Sequence, residues 1–272
     1  CLSLGEKGLE MIKRGEFQRN LLDKLQVLTL CLESDEFPYE ILQQVPNIEK
    51  LVVCGGLFKE IFCLQSPNVD DRGLLLQLKV LHLESLEELV SIGLEKSCTE
   101  PFLRNLETLQ VISCFELKNL APCTVSFSNL TYLEVQNCTS LLYLLTSSTA
   151  KSLGQLKRLE IKDCDSIQEI VSKEGDESHK NEQIILEQLQ VLYLEELHQL
   201  KCFYPGNFTL HFPCLEQVYI INCRWMKTFS PVNKIDHSTE WFSAANDATP
   251  QQECDLNLAV RRTFEKTVSI GS

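Results

Sequence analysis

The chain has 272 residues and a formal charge of −13, from 25 Lys+Arg against 38 Asp+Glu. That length suffices for a sizeable core, and an apolar share of 44% makes a folded chain rather than a disordered one the expectation. A pI near 4.9 sets the surface against phosphate, which argues against nucleic acid and anionic membrane as partners.

Thirteen cysteines are spread over the chain with no CxxC pair, so buried, reduced thiols in a cytoplasmic protein are expected rather than a disulfide framework. No apolar run approaches the roughly 18 residues of a membrane-spanning helix. The opening CLSLGEKGLE has neither a methionine nor a basic segment followed by an apolar one, as expected of a fragment of a longer chain or of a truncated gene.

In chain order, one frame returns again and again. Looser copies begin at Leu25 (LQVLTLCLE) and Ile48 (IEKLVVCGG). Closer ones follow as QLKVLHLESLEELVSI (77–92), NLETLQVISCFELKNL (105–120), NLTYLEVQNCTSLLYL (129–144), QLKRLEIKDCDSIQEI (155–170), QLQVLYLEELHQLKCF (188–203) and CLEQVYIINCRWMKTF (214–229). Anchored on the first apolar position, the units start at 25, 48, 78, 106, 130, 156, 189 and 215, with spacings of 23 to 33 residues. The shared pattern is L-x-x-L-x-L-x-x-C/L-x-x-L-x-x-I/L/F.

The alternating x-L-x-L-x predicts a short strand with one buried face, and the later apolar residues, three apart, predict an irregular or 3₁₀ return. One such unit cannot bury its apolar face alone. Stacked neighbours can, which predicts an α/β solenoid with one parallel sheet on its concave side. The organisation expected is a solenoid over 1–229, a linker over 230–252 and a C-terminal helix over 253–272. In that last segment Leu256, Leu258, Val260, Phe264 and Val268 form an apolar stripe that would cap the open end, with Asp255 near its start.

The frame resembles the leucine-rich repeat. The irregular unit length and phrases such as LEVQNC, LEIKDC and LYLEEL are similar to the C-terminal region of plant coiled-coil nucleotide-binding leucine-rich-repeat disease resistance proteins. The stretch GEFQRNLLDKLQVLTLCLESDEFPYEILQQVPNIEKLVV also resembles the start of that region, and EWFSAANDATPQQECDLNLAVRRTFEKTV its end. The resemblance implies a cytoplasmic interaction module that recognises a pathogen effector or a guarded host protein, and restrains an upstream nucleotide-binding domain. That domain's G-x-x-x-x-G-K-[ST] loop is not in this sequence, so no cofactor is expected. Two other roles stay open, the substrate receptor of an F-box ubiquitin ligase and a free-standing scaffold or decoy. The first is disfavoured because FELKNL, TSLLYL and DSIQEI stand where that family writes I-T-D-x-G-L.

Cys114, Cys138, Cys164 and Cys223 share the ninth position of their units. There the family uses Asn or Cys to bond backbone groups freed at the bend, so a structural ladder is expected rather than a metal site, which would need convergent ligands. Leu86 and Leu197 stand there in two other units. No catalytic frame surrounds the histidines at 82, 179, 198, 211 and 237, and an enzyme is not expected. The concave face should carry the partner site: His82, Gln110, Glu134 and Glu160 along its centre, Tyr132 beside them, and an apolar-aromatic patch of Val191, Tyr193, Tyr219 and Ile221. Glu134 and Glu160 are expected to face basic groups of the partner. Two polar insertions, 64–73 and 172–183, are expected at one edge of the arc, as solvated loops or as partner contacts.

Overall fold

The computed structural model describes residues 1–61, 77–92, 105–120, 126–174, 183–230, 239–243 and 251–253. The elements in chain order are β1 (Leu2–Leu4), α1 (Glu6–Lys13), α2 (Arg19–Leu22), β2 (Val27–Leu32), α3 (Tyr39–Gln44), β3 (Lys50–Gly55), β4 (Val80–Glu84), β5 (Thr108–Ile112) and β6 (Tyr132–Gln136). There follow β7 (Tyr143–Thr146), α4 (Ser147–Ala150), β8 (Arg158–Lys162), β9 (Glu169–Ser172), β10 (Gln183–Ile185), β11 (Val191–Glu195), β12 (Thr209–His211), β13 (Gln217–Ile221), β14 (Thr239–Ser243) and β15 (Gln251–Glu253).

Each of the eight sequence units contributes one strand, starting two residues after its anchor leucine or isoleucine. These strands lie side by side in an eleven-stranded sheet of order β1-β2-β3-β4-β5-β6-β8-β11-β13-β14-β15, parallel throughout except where β15 joins β14. The register carries no stagger: Leu133 faces Leu109 on one side and Leu159 on the other. Equivalent residues of successive units therefore stack in straight columns.

The fold is an α/β leucine-rich-repeat solenoid. Its core is the inward set of each unit, shared with the units on either side. In the unit beginning at Leu130, the side chains of Leu130, Leu133, Val135, Cys138, Leu141 and Leu144 are no more than 1% exposed. Burying a leucine contributes about 1.5–3 kcal/mol, so one unit's core set is worth far more than its polar contacts. Toward the C-terminal end the core turns aromatic. Phe203 stacks on Phe229 at 4.8 Å, and Phe212 meets both rings edge-on.

The sharp exit from each strand has a fixed backbone device. The eighth residue of seven units is left-handed: Gly55, Ser85, Ser113, Asn137, Asp163, Glu196 and Asn222 all have φ between 52° and 70°. A non-glycine residue there costs about 1–2 kcal/mol. The conformation aims its amide at the next unit. Ser85, Ser113, Asn137, Asp163 and Glu196 each donate to the seventh-position carbonyl that follows, at 2.9–3.1 Å. At Gly55 the left-handed turn lies so close to the Leu32 carbonyl that a Cβ would approach it to 2.4 Å, so only glycine fits.

Two departures from expectation sit at the ends. The segment expected as a linker contains β14, which pairs in parallel with β13 and continues the sheet by one unit. TEWFS breaks the apolar alternation, with Trp241 and Phe242 adjacent, and the anchor apolar residue that opens every other unit is missing, so the periodicity hides it. At the other end β1 pairs Leu2 with Leu28 and Leu4 with Leu30, adding a strand ahead of the first unit recognised. The C-terminal helix expected over 253–272 lies outside the described residues beyond Glu253, as does the insertion 64–73 and most of 172–183.

Candidate functional site

The concave face is built by the third, fifth and seventh residues of each unit, which alternation turns away from the core. The central column runs Thr29, Val52, His82, Gln110, Glu134, Glu160, Tyr193 and Tyr219, each the registered partner of the next. Along it a chain of hydrogen bonds crosses from unit to unit. His82 Nδ1 lies 3.2 Å from Gln110 Oε1, and Gln110 Nε2 donates to Glu134 Oε2 at 2.8 Å. Tyr132 OH donates to the same Glu134 oxygen at 2.9 Å, and Lys162 Nζ reaches the other at 3.6 Å.

Glu160 corrects the expectation placed on the acidic residues. Only 5% of it is exposed, and both its oxygens are taken, one by the Arg158 guanidinium and one by Lys162 Nζ. Burial pushes its carboxyl up, but the bonds from Lys162 and Arg158 outweigh this and hold it below its ordinary value. Glu134 is likewise occupied. These carboxylates do not wait for a partner's basic groups; the strand supplies its own. Arg158, Glu160 and Lys162 are alternate residues of one strand and so share its outer face. That alternation of charges, RLEIK, was the available signal, and Arg158 and Lys162 are the site residues missed by reading the columns one at a time.

Beyond Lys162 the character of the face changes. Lys162 Nζ sits over the Tyr193 ring, 5.1 Å from its centre, and the Tyr193 and Tyr219 rings meet at 5.2 Å with a tilt of 38°. Tyr193 OH donates to Glu195 Oε2 at 3.1 Å, and Tyr219 OH to Gln217 Oε1 at 3.4 Å. Burial and the bond to Glu195 raise the Tyr193 hydroxyl above its ordinary value, so it stays a neutral donor. Val191, Tyr193, Tyr219 and Ile221 are all half-buried, and the structure brings the four together on the neighbouring strands β11 and β13. Tyr132 lies two strands away and belongs to the polar stretch.

The ninth-position cysteines line the turn beneath this face. The Cys138 thiol donates to Val111 O of the preceding unit at 3.8 Å and to Gln136 O at 3.5 Å. Cys164 bonds Val135 O and Lys162 O, Cys223 bonds Leu194 O and Ile221 O, and Cys114 bonds Ile112 O. Cys138 N also donates to Cys164 Sγ at 3.4 Å. Burial pushes the Cys223 thiol up to about 12, so it stays protonated and able to donate. Among the described residues, no group of three or more His, Cys, Asp or Glu is placed to hold a metal ion. No helix among them is long and apolar enough to cross a membrane.

Stacked parallel units, a bonded left-handed exit and a row of buried turn thiols define a leucine-rich-repeat protein with an irregular repeat. Part of the chain is similar to the repeats of plant disease resistance proteins. Residues 124–235 match the family model described as "Plant disease resistance protein RPS2-like, leucine-rich repeats". The chain is also 28% identical over 209 residues to disease resistance protein RPS5 of Arabidopsis thaliana. That alignment covers 76% of this chain and 21% of the relative, so the chain spans about a fifth of the protein it matches.

Proposed function

We propose that the concave face of this region binds a protein partner through the Val191–Tyr193–Tyr219–Ile221 patch. In the setting of the family, that partner is a pathogen effector or a guarded host protein in the cytoplasm. The region restrains an adjoining nucleotide-binding domain until the partner arrives. The observation that supports this reading is the Tyr193–Tyr219 pair: two half-buried rings side by side, next to carboxylates that Arg158 and Lys162 already engage. Tyrosine suits such a role because it presents a large, stiff area with one polar tip. His82, Gln110, Glu134 and Glu160 then act as a bonded polar flank that excludes mismatched partners more than it attracts the right one.

The test is a capture comparison between the wild-type chain and the double variant Tyr193→Ala/Tyr219→Ala, with the recovered proteins quantified by mass spectrometry. A protein retained by the wild type and lost by the variant, at equal far-UV spectrum, supports the patch. Identical recoveries remove it. An immunoblot against 172–183 adds the context: a band far above 31.1 kDa places the chain within a receptor, and a band near that mass favours a free-standing scaffold or decoy.

A further inference from the structure

We propose that Cys31 and Cys54 form a peroxide-oxidisable dithiol, a reversible modification site on the concave face of the first two units. The two residues are registered partners on the adjacent parallel strands β2 and β3, both at the seventh position of their units. Their side chains therefore leave the same face of the sheet. Neighbouring strands lie about 4.8 Å apart, inside the roughly 4.4–6.8 Å that a disulfide requires between Cα atoms. Cys31 is exposed and Cys54 half-buried, whereas the ninth-position thiols Cys114, Cys138 and Cys164 are fully buried. The carbonyl of Leu32, next to Cys31, crowds Gly55, next to Cys54, so the ends of the two strands are held close.

The chemistry needs hydrogen peroxide as oxidant. The Cys31 sulfur attacks one peroxide oxygen, the O–O bond breaks, and the departing oxygen leaves as water with the Cys31 proton. Cys31 is then a sulfenic acid. The Cys54 sulfur attacks the Cys31 sulfur, the S–S bond forms, and the hydroxyl leaves as a second water carrying the Cys54 proton. Two thiols are oxidised and one peroxide is reduced to two waters.

The roles differ by environment. Burial, then the charge of Cys31 and of Glu84, pushes the Cys54 thiol up to about 11, which suits it to the second step rather than the first. An in-register parallel pair holds Cβ atoms farther apart than an ideal disulfide, so the bond is strained and readily reduced. That lability is what a reversible modification needs.

Lysines at 24, 50 and 59 place the two cysteines on separate tryptic peptides, 25–50 and 51–59. The reduced full chain is treated with stoichiometric hydrogen peroxide under native conditions, blocked with N-ethylmaleimide and digested without reduction. The expected product is the pair 25–50 and 51–59 linked together, lighter by two hydrogens than their sum and separated by a thiol reductant. In Cys54→Ser, Cys31 should instead accumulate as a sulfenic acid trapped by dimedone. Cys1 and Cys214, exposed but outside any strand, serve as internal controls. Both peptides carrying N-ethylmaleimide while those controls are oxidised would overturn the proposal. So would sulfinic acid at Cys31 without the linked pair. The result is independent of the tyrosine patch, because it requires no partner.

Discussion

The stretch from His82 to Lys162 and the stretch from Val191 to Ile221 share one backbone and differ in what they do with it. Both have the same strand length, the same left-handed exit and the same buried leucines beneath. In the first, every outward polar group of the central column is bonded to a neighbour, mostly on the adjoining strand. In the second, two half-buried aromatic rings lean on each other and keep part of their area toward solvent. A solenoid thus separates scaffold from surface: the inward residues set the shape, and the outward ones can change from unit to unit without disturbing it.

The largest effect that sharpens this contrast comes from the shared scaffold. Leu133→Asp or Leu159→Asp places a charge where the side chain is no more than 1% exposed, and should abolish cooperative thermal unfolding followed by circular dichroism. Next comes Lys162→Met, which leaves Glu160 with one cation and Glu134 with none. A loss of about 1–3 kcal/mol in urea unfolding is expected. Full retention of stability would show that the polar stretch is solvated rather than bonded.

The pH dependence has a definite sign. Glu160 is held below its ordinary value in the folded chain, so its contribution is fully present above the ordinary carboxylate range and is lost as pH falls through the lower, folded value. Wild type should therefore be more stable than Glu160→Gln near neutral pH, and the gap should close on acidification. A gap that widens would contradict the bonding described. The smallest effect on stability is expected from Tyr193→Ala/Tyr219→Ala, about 0.5–1.5 kcal/mol for the lost ring pair, because both rings face outward. A collapse of that variant would mean that the tyrosines hold the solenoid rather than serve it.

Most of the scaffold was legible because its rule is periodic. Eight anchors, read from leucine spacing alone, each open a strand two residues later, and the columns of the concave face follow without error from alternation. What escaped lies where the rule is incomplete. β14 has no apolar anchor, and β1 stands ahead of the first copy of the frame. The left-handed exits are also written in the sequence: six of the seven carry Gly, Ser, Asn or Asp at the eighth position, and Glu196 is the exception. The tyrosine patch was visible as composition. The occupation of Glu160 was not, because a column lists residues along the sheet and Glu160 is held by residues along its own strand.

The forward bond from the eighth-position amides of Ser85, Ser113, Asn137, Asp163 and Glu196 to the next unit's carbonyl has a consequence for descent. From Ser85 to Glu196 the five junctions offer the same acceptor and the same donor, so a segment copied or excised between two of these exits can rejoin with its bonding intact. Unequal crossing-over between neighbouring repeats then yields a folded chain at once, with the outward columns shifted by one strand. Gly55 marks the limit of that freedom, since the crowded Leu32 carbonyl ties this one junction to a single residue type. Elsewhere in the arc, inheritance can shuffle whole surfaces as readily as it substitutes single side chains.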